Sequence, residues 1–304
     1  MKKTKYFSYK INSLPKGCQY CVQGSKLVMF ITGLCPRNCF YCPISEQKYK
    51  KDVIYADEWP IKNNKDILTE AKLINAKGAG FTGGDPLKKL KRTILIIKKL
   101  KKKFGKKFHT HLYTSFNLVT ENTLKKLHKA GLDEIRFHPD LDNQKLWSRI
   151  NLAKKFKWDI GIEIPVIPNK KSQTIKLVDY FQDKVDFINL NELEIADAKH
   201  NLLTKLGYKP SSPYASSVKG SAQLAKQILK HLKDTKINVH FCTAKLKDAV
   251  QLANRIKRRA QNVKLPSDQV TEEGLLIRGV IYLPKLKPSF SYQKKIKNIK
   301  NKKT

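Results

Sequence analysis

Between residues 26 and 190 the spacing of apolar positions switches repeatedly between a period of two and a period near 3.6. Lys26-Leu-Val-Met-Phe-Ile31 predicts a buried strand, and Asp66 to Ala76 a helix. Gly78 to Phe81 is a second apolar strand. Leu87, Leu90, Ile94, Ile97 and Leu100 then recur at three- and four-residue steps, an amphipathic helix closed by Gly105. Phe108 to Tyr113 alternates as a strand does, and Thr120 caps a helix that runs through Leu124 and Leu127 to Gly131. Glu134 to His138 is a strand, followed by a helical stripe of Leu146, Ile150, Ala153 and Phe156. Asp159 to Val166, Thr174 to Phe181 and Asp186 to Leu190 complete the series as strand, helix, strand. Strand and helix alternate about six times, which predicts an α/β fold with a parallel sheet, a whole or partial barrel. In such a fold the chemistry sits at the C-terminal ends of the strands.

Beyond residue 198 the pattern loosens. Residues 199–220 are irregular and contain Pro210 and Pro213; a helix near Ser221 to Lys233, a strand near Ile237 to Cys242 and a long helix from Ala244 to Gln261 follow. Glu273 to Leu283 reads as a last strand, and Lys294 to Thr304 as a lysine-rich disordered tail. The predicted organisation is a leader over 1–25, a barrel core over 26–198, an α+β extension over 199–290 and a basic tail over 291–304.

Composition narrows the function. There is no apolar run long enough to span a bilayer, and Met1 to Lys10 has charge without an apolar stretch, so no secretory signal is expected. Six cysteines in 304 residues do not make a disulfide framework, and their clustering points to metal in a reducing compartment, the cytoplasm. The net charge of +37 arises from 62 basic and 25 acidic residues, and only eight of the basic residues are arginine. Such a surface attracts polyanions, or an acidic protein partner.

Three of the cysteines fall within eight residues, Cys35-Pro-Arg-Asn-Cys39-Phe-Tyr41-Cys42. Three thiolates can hold three irons of a 4Fe–4S cubane and leave the fourth iron open; a zinc knot is the competing reading, and it needs a fourth ligand. Some forty residues later Thr82-Gly83-Gly84-Asp85-Pro86 follows the apolar step Ala79-Gly80-Phe81, at the end of the second strand. With both motifs at strand ends, residues 26–190 resemble the radical SAM superfamily. The resemblance implies a six-strand partial barrel, the (β/α)6 form. Cys35, Cys39 and Cys42 would hold the cluster, whose open iron chelates S-adenosylmethionine. Tyr41 would lie near the adenine, and Gly83, Gly84 and Asp85 would meet the methionine end, with Asp85 standing where the family usually has Glu. Reductive cleavage would then give a 5′-deoxyadenosyl radical, using an electron from an acidic donor such as ferredoxin or flavodoxin.

Other polar residues gather at predicted strand ends: Tyr113, Thr114 and Ser115 on the third, Arg136, His138 and Asp140 on the fourth, Glu163 on the fifth, and Asn189, Asn191 and Glu192 on the sixth. Ser115, Arg136 and His138 match the placement the family uses for the ribose and carboxylate of S-adenosylmethionine; Asp140 reads as a cap. Cys18 and Cys21 form a Cys-x-x-Cys before the first strand. His240 and Cys242, two apart on a strand, point the same way. Together these four suit zinc or a further iron–sulfur cluster; the plainer alternative is a buried thiol and a satisfied histidine.

The substrate is less legible. Arg255, Arg258 and Arg259 form a basic helix end, which with the total charge points to RNA, tRNA in particular. A protein or peptide is the second possibility, since the whole chain resembles archaeal proteins related to the pyruvate formate-lyase activating enzyme, whose relatives make glycyl radicals. A zinc-bearing nucleic-acid-binding protein is the non-enzyme alternative.

Overall fold

The structure, a computed structural model, describes residues 1–280. The chain opens with a short antiparallel pair, β1 (Lys2–Lys3) and β2 (Tyr9–Ile11), then helix α1 (Lys16–Val22) and strand β3 (Lys26–Phe30). Two-residue strands β4 (Tyr55–Ala56) and β5 (Trp59–Pro60) fold back beside β3. Regular alternation follows: α2 (Asn64–Leu73), β6 (Gly78–Thr82), α3 (Leu90–Phe104), β7 (His109–Ser115), α4 (Glu121–Ala130) and β8 (Glu134–His138). It continues through α5 (Ile150–Ala153), β9 (Asp159–Val166), α6 (Lys171–Phe181) and β10 (Phe187–Glu192), then α7 (Ser221–His231) and β11 (Asn238–Cys242). Helix α8 (Ala244–Leu246), helix α9 (Ala253–Val263) and the small hairpin β12 (Gln269–Val270) with β13 (Leu276–Ile277) close the described chain.

Strands β3, β6, β7, β8, β9, β10 and β11 pair in that order, all parallel. This is the expected α/β partial barrel, with one addition. β11, from the segment read as an extension, pairs with β10 and is a seventh parallel strand of the same sheet. The sheet does not close on itself. Its two edges are covered by antiparallel strands, β2 against β11 and β4 against β3, which occupy the backbone groups an open edge would expose.

Local chemistry explains the elements. Asn63 and Asp66 form a capping box on α2, and Thr120 and Thr123 one on α4. α4 stops at Gly131, whose φ of 97° is left-handed. Ile96, Ile97 and Leu100 of α3 and Leu124 and Leu127 of α4 are buried against the outer face of the sheet. Two expectations change in detail. The long helix from Ala244 is broken by a π-helical turn, Lys247–Leu252, between α8 and α9. The last strand is reduced to the two residues of β13; residues 281–283 and the tail 291–304 lie outside the described residues.

The inner face of the sheet is polar. Lys26, His111, Glu134, Arg136, Asn189 and His240 are all buried there. The leader does not lie outside this barrel: α1 plugs its base. The Gly17 amide donates to Glu134 Oε2 at 3.1 Å, and a Cβ on Gly17 would stand 2.6 Å from the Arg136 guanidinium. No other residue fits that approach without displacing a buried cation.

Candidate active site

A cavity of about 690 Å³ opens at the C-terminal ends of the parallel strands, and Cys35, Cys39 and Cys42 line it together with Gly83, Gly84, Asp85, Ser115, Arg136 and His138. The two sequence motifs and the strand-end residues therefore share one space. The cysteines lie on the loop that leaves β3. All three are half-buried, and burial pushes the Cys35 thiol up to about 11, with Asp85, Cys39 and Cys42 adding to the effect. Burial likewise raises the Cys42 thiol, and binding to cationic iron would offset that penalty at both sulfurs. The donor set fits the cubane reading.

The Gly83–Asp85 segment is laced to the cysteine loop. Gly84 N donates to Thr32 O at 2.7 Å and Asp85 N to Leu34 O at 2.8 Å. A Cβ on Gly83 would lie 2.4 Å from Thr32 O, and one on Gly84 2.3 Å from Leu34 O. The glycines are thus required by the approach of the cysteine loop's own main chain, where sequence reasoning credited the approach of a cofactor. Asp85 is buried, and its carboxylate accepts from Leu87 N, from Thr114 Oγ1 and from both the amide and the hydroxyl of Ser115. Burial raises its pKa even against these donors. Asp85 is the pin that fixes the end of β7 to the end of β6, and Ser115 spends its proton on that pin.

On the opposite wall the cysteine loop is held by β8. Tyr41 Oη meets His138 Nε2 at 2.9 Å, while His138 Nδ1 meets the carbonyl of Glu163 at 2.9 Å. Only Nδ1–H can serve a carbonyl, so Nε2 is the acceptor for the Tyr41 hydroxyl. Burial, helped by the nearby Arg37 charge, lowers His138 to about 4 and keeps the ring neutral. Arg37, between the first two cysteines and not foreseen from sequence, donates to His138 O at 2.9 Å and to Asp140 at 3.2 Å. Tyr41, His138 and Asp140 therefore tie loop to barrel.

Arg136 reaches the cavity wall with its charge already answered: Nε bonds Glu134, and Nη1 bonds Glu163 at 2.8 Å and Tyr113 Oη at 3.2 Å. Burial works against the Glu163 carboxylate, but Arg136 and the amides of Asn189 and Asn191 hold its pKa below the ordinary range. Lys26, also missed, lines the same space and lies 3.1 Å from His111 Nε2. The irregular segment after β10 covers the cysteine loop: Leu202 N donates to Phe40 O at 2.7 Å, and Tyr208 stacks on Phe40.

Two expected groupings fare differently. Arg255, Arg258 and Arg259 are not presented to solvent as a phosphate grip. Arg255 pairs with Asp57 at 3.4 Å, Arg258 donates to the carbonyls of Ile74 and Asn75, and Arg259 pairs with Glu70 at 2.9 Å and lies over Trp59. Arg258 and Arg259 dock α9 on α2, and Arg255, at the cavity rim, pairs with the β4–β5 turn, so the arginine cluster no longer points to RNA and only the net charge does. Among the described residues no three His, Cys, Asp or Glu side chains converge on a point as one metal ion requires, so Cys18, Cys21, His240 and Cys242 do not form a preassembled zinc site.

A family model described as the radical SAM superfamily matches residues 29–179. The chain is 43% identical over 286 residues to a Methanocaldococcus jannaschii protein named "Putative glycyl-radical enzyme activating enzyme", covering 91% of this chain and 76% of that protein. It is 29% identical over 144 residues to biotin synthase of Rickettsia felis, 45% of this chain and 43% of that one. Of solved structures, HydG, a maturase of the FeFe-hydrogenase, aligns with a TM-score of 0.49 at 12% identity, covering 83% of this chain and 69% of its own. Methylornithine synthase aligns with a TM-score of 0.45 at 14% identity, covering 67% and 61%.

Proposed function

Since the chain belongs to the radical SAM superfamily and is an enzyme of that class, we propose that it generates its radical in the 690 Å³ cavity and takes a hydrogen atom from a polypeptide, as a glycyl-radical activating enzyme does. Cys35, Cys39 and Cys42 would hold the cluster, which with S-adenosylmethionine would supply one-electron reductive cleavage. The chain's own residues position and shield. Asp85 fixes the β6 and β7 ends on one side of the cysteine loop, while Tyr41, Arg37 and His138 fix it to β8 on the other. The covering segment from Asn201 to Tyr208 limits access of water to that loop.

The observation that carries the substrate class is the 43% identity across 91% of the chain to a relative whose name is that of an activating enzyme. The internal pairing of the arginine cluster leaves RNA with the net charge alone in its favour. The test uses deuterium. The reduced enzyme and S-adenosylmethionine are incubated with protein extracts from cells grown on α-deuterated glycine. Deuterium in the 5′-deoxyadenosine is the expected result. Undeuterated 5′-deoxyadenosine formed at full yield would overturn the glycyl reading while leaving cofactor cleavage intact.

A further inference from the structure

Beside the cavity a second set of thiols, of which Cys21 alone lines it, comes from opposite ends of the chain. Cys18 and Cys21 lie three apart on α1 and so share a face. Cys242, the last residue of β11, packs with Val22 and Leu246, against the final turn of α1. Cys21 opens onto the catalytic cavity.

The two inner sulfurs are met by donors. Cys18 Sγ receives Arg136 Nη2 at 3.5 Å and Asn189 Nδ2 at 3.4 Å, and Cys242 Sγ receives Gln251 Nε2 at 3.7 Å. N–H groups aimed at cysteine sulfur stabilise thiolate, and in iron–sulfur sites they tune the cluster. His240 is 1% exposed, two residues before Cys242 on the same strand face, and neither of its ring nitrogens has a partner. Gln251 comes from the π-helical turn, a distortion concentrated at functional sites.

The thiols do not converge as a single ion requires, and neither do Cys35, Cys39 and Cys42. A cubane distributes its ligands over separate irons, so the spread excludes a preassembled mononuclear site without excluding a cluster. We infer that Cys18, Cys21 and Cys242 hold a second iron–sulfur cluster behind the cavity wall at Cys21, with His240 placed to complete its ligand set. The cluster joins the plug helix to β11, the seventh strand.

Iron, acid-labile sulfide and zinc are measured on the full chain, expressed and purified without oxygen. The wild type is expected to carry roughly eight irons, two cubanes' worth. The Cys35→Ala/Cys39→Ala/Cys42→Ala protein should keep about half, with a reduced-state EPR signal of its own. Should that protein fold poorly, Cys18→Ser/Cys21→Ser decides, its iron falling to about half while the radical-generating loop is untouched. Wild type with only about four irons that still cleaves S-adenosylmethionine overturns the second cluster and leaves the proposed function standing. Zinc in place of iron in the first triple variant overturns it also. Wild type without iron would defeat both readings.

Discussion

At the scale of single residues, the motif positions matter for how they hold one another. Gly84 is the clearest case, because the carbonyl of Leu34 occupies the space its side chain would need. That neighbour is main chain of the cluster loop and cannot rotate away. Gly84→Ala is therefore expected to displace the loop, at a cost of about 1–3 kcal/mol typical of overpacking. Bound iron should fall along with S-adenosylmethionine affinity, read by iron assay and equilibrium dialysis. Full iron with weakened affinity would instead mean that the glycine serves the cofactor directly. The sequence showed that Gly83, Gly84 and Asp85 belong to the site, since their spacing from the cysteines is a local pattern. It could not show that Asp85 faces Ser115 or that Tyr41 faces His138. Those pairs lie 30 and 97 residues apart, and only the packed barrel brings them together.

At the scale of elements, alternating periodicity made the strands and helices from β3 to β10 legible, because each buries one face against a neighbour. What was not legible is where short or polar elements dock. α1 is seven residues with a charged start, and nothing in its own pattern says that it enters a barrel and meets Glu134. β11 reads as an isolated strand until its register with β10 sets Asn189 beside His240 and Asn191 beside Cys242. α9 presents arginines that on a helical wheel look free. In the fold Glu70 is only 4% exposed, and Arg259 answers its charge. Arg259→Ala leaves that carboxylate without its partner, and the expected loss is about 1–3 kcal/mol, below the full cost of a wholly buried pair because the arginine is partly exposed. A fall of several degrees in melting temperature with unchanged RNA affinity is the predicted outcome. Unchanged melting with weakened RNA binding would return α9 to the nucleic-acid reading.

At the scale of the whole molecule, a polar-lined parallel sheet is plugged at its base by α1, its edges are covered by β2 and β4, and its mouth is lined by the cysteine loop. The charge of +37 is carried mostly by lysines, and the radical SAM family draws its electron from an external donor. Among the described residues no helix is long and apolar enough to cross a membrane. Reductive cleavage of S-adenosylmethionine requires the loop of Cys35, Cys39 and Cys42 to carry a working cluster. The most direct measurement is 5′-deoxyadenosine formed by the dithionite-reduced, iron-loaded protein, compared with its Cys39→Ala variant. The account predicts steady formation by the wild type and none by the variant. Equal formation by both, or none by a wild type with its full complement of iron, would contradict it.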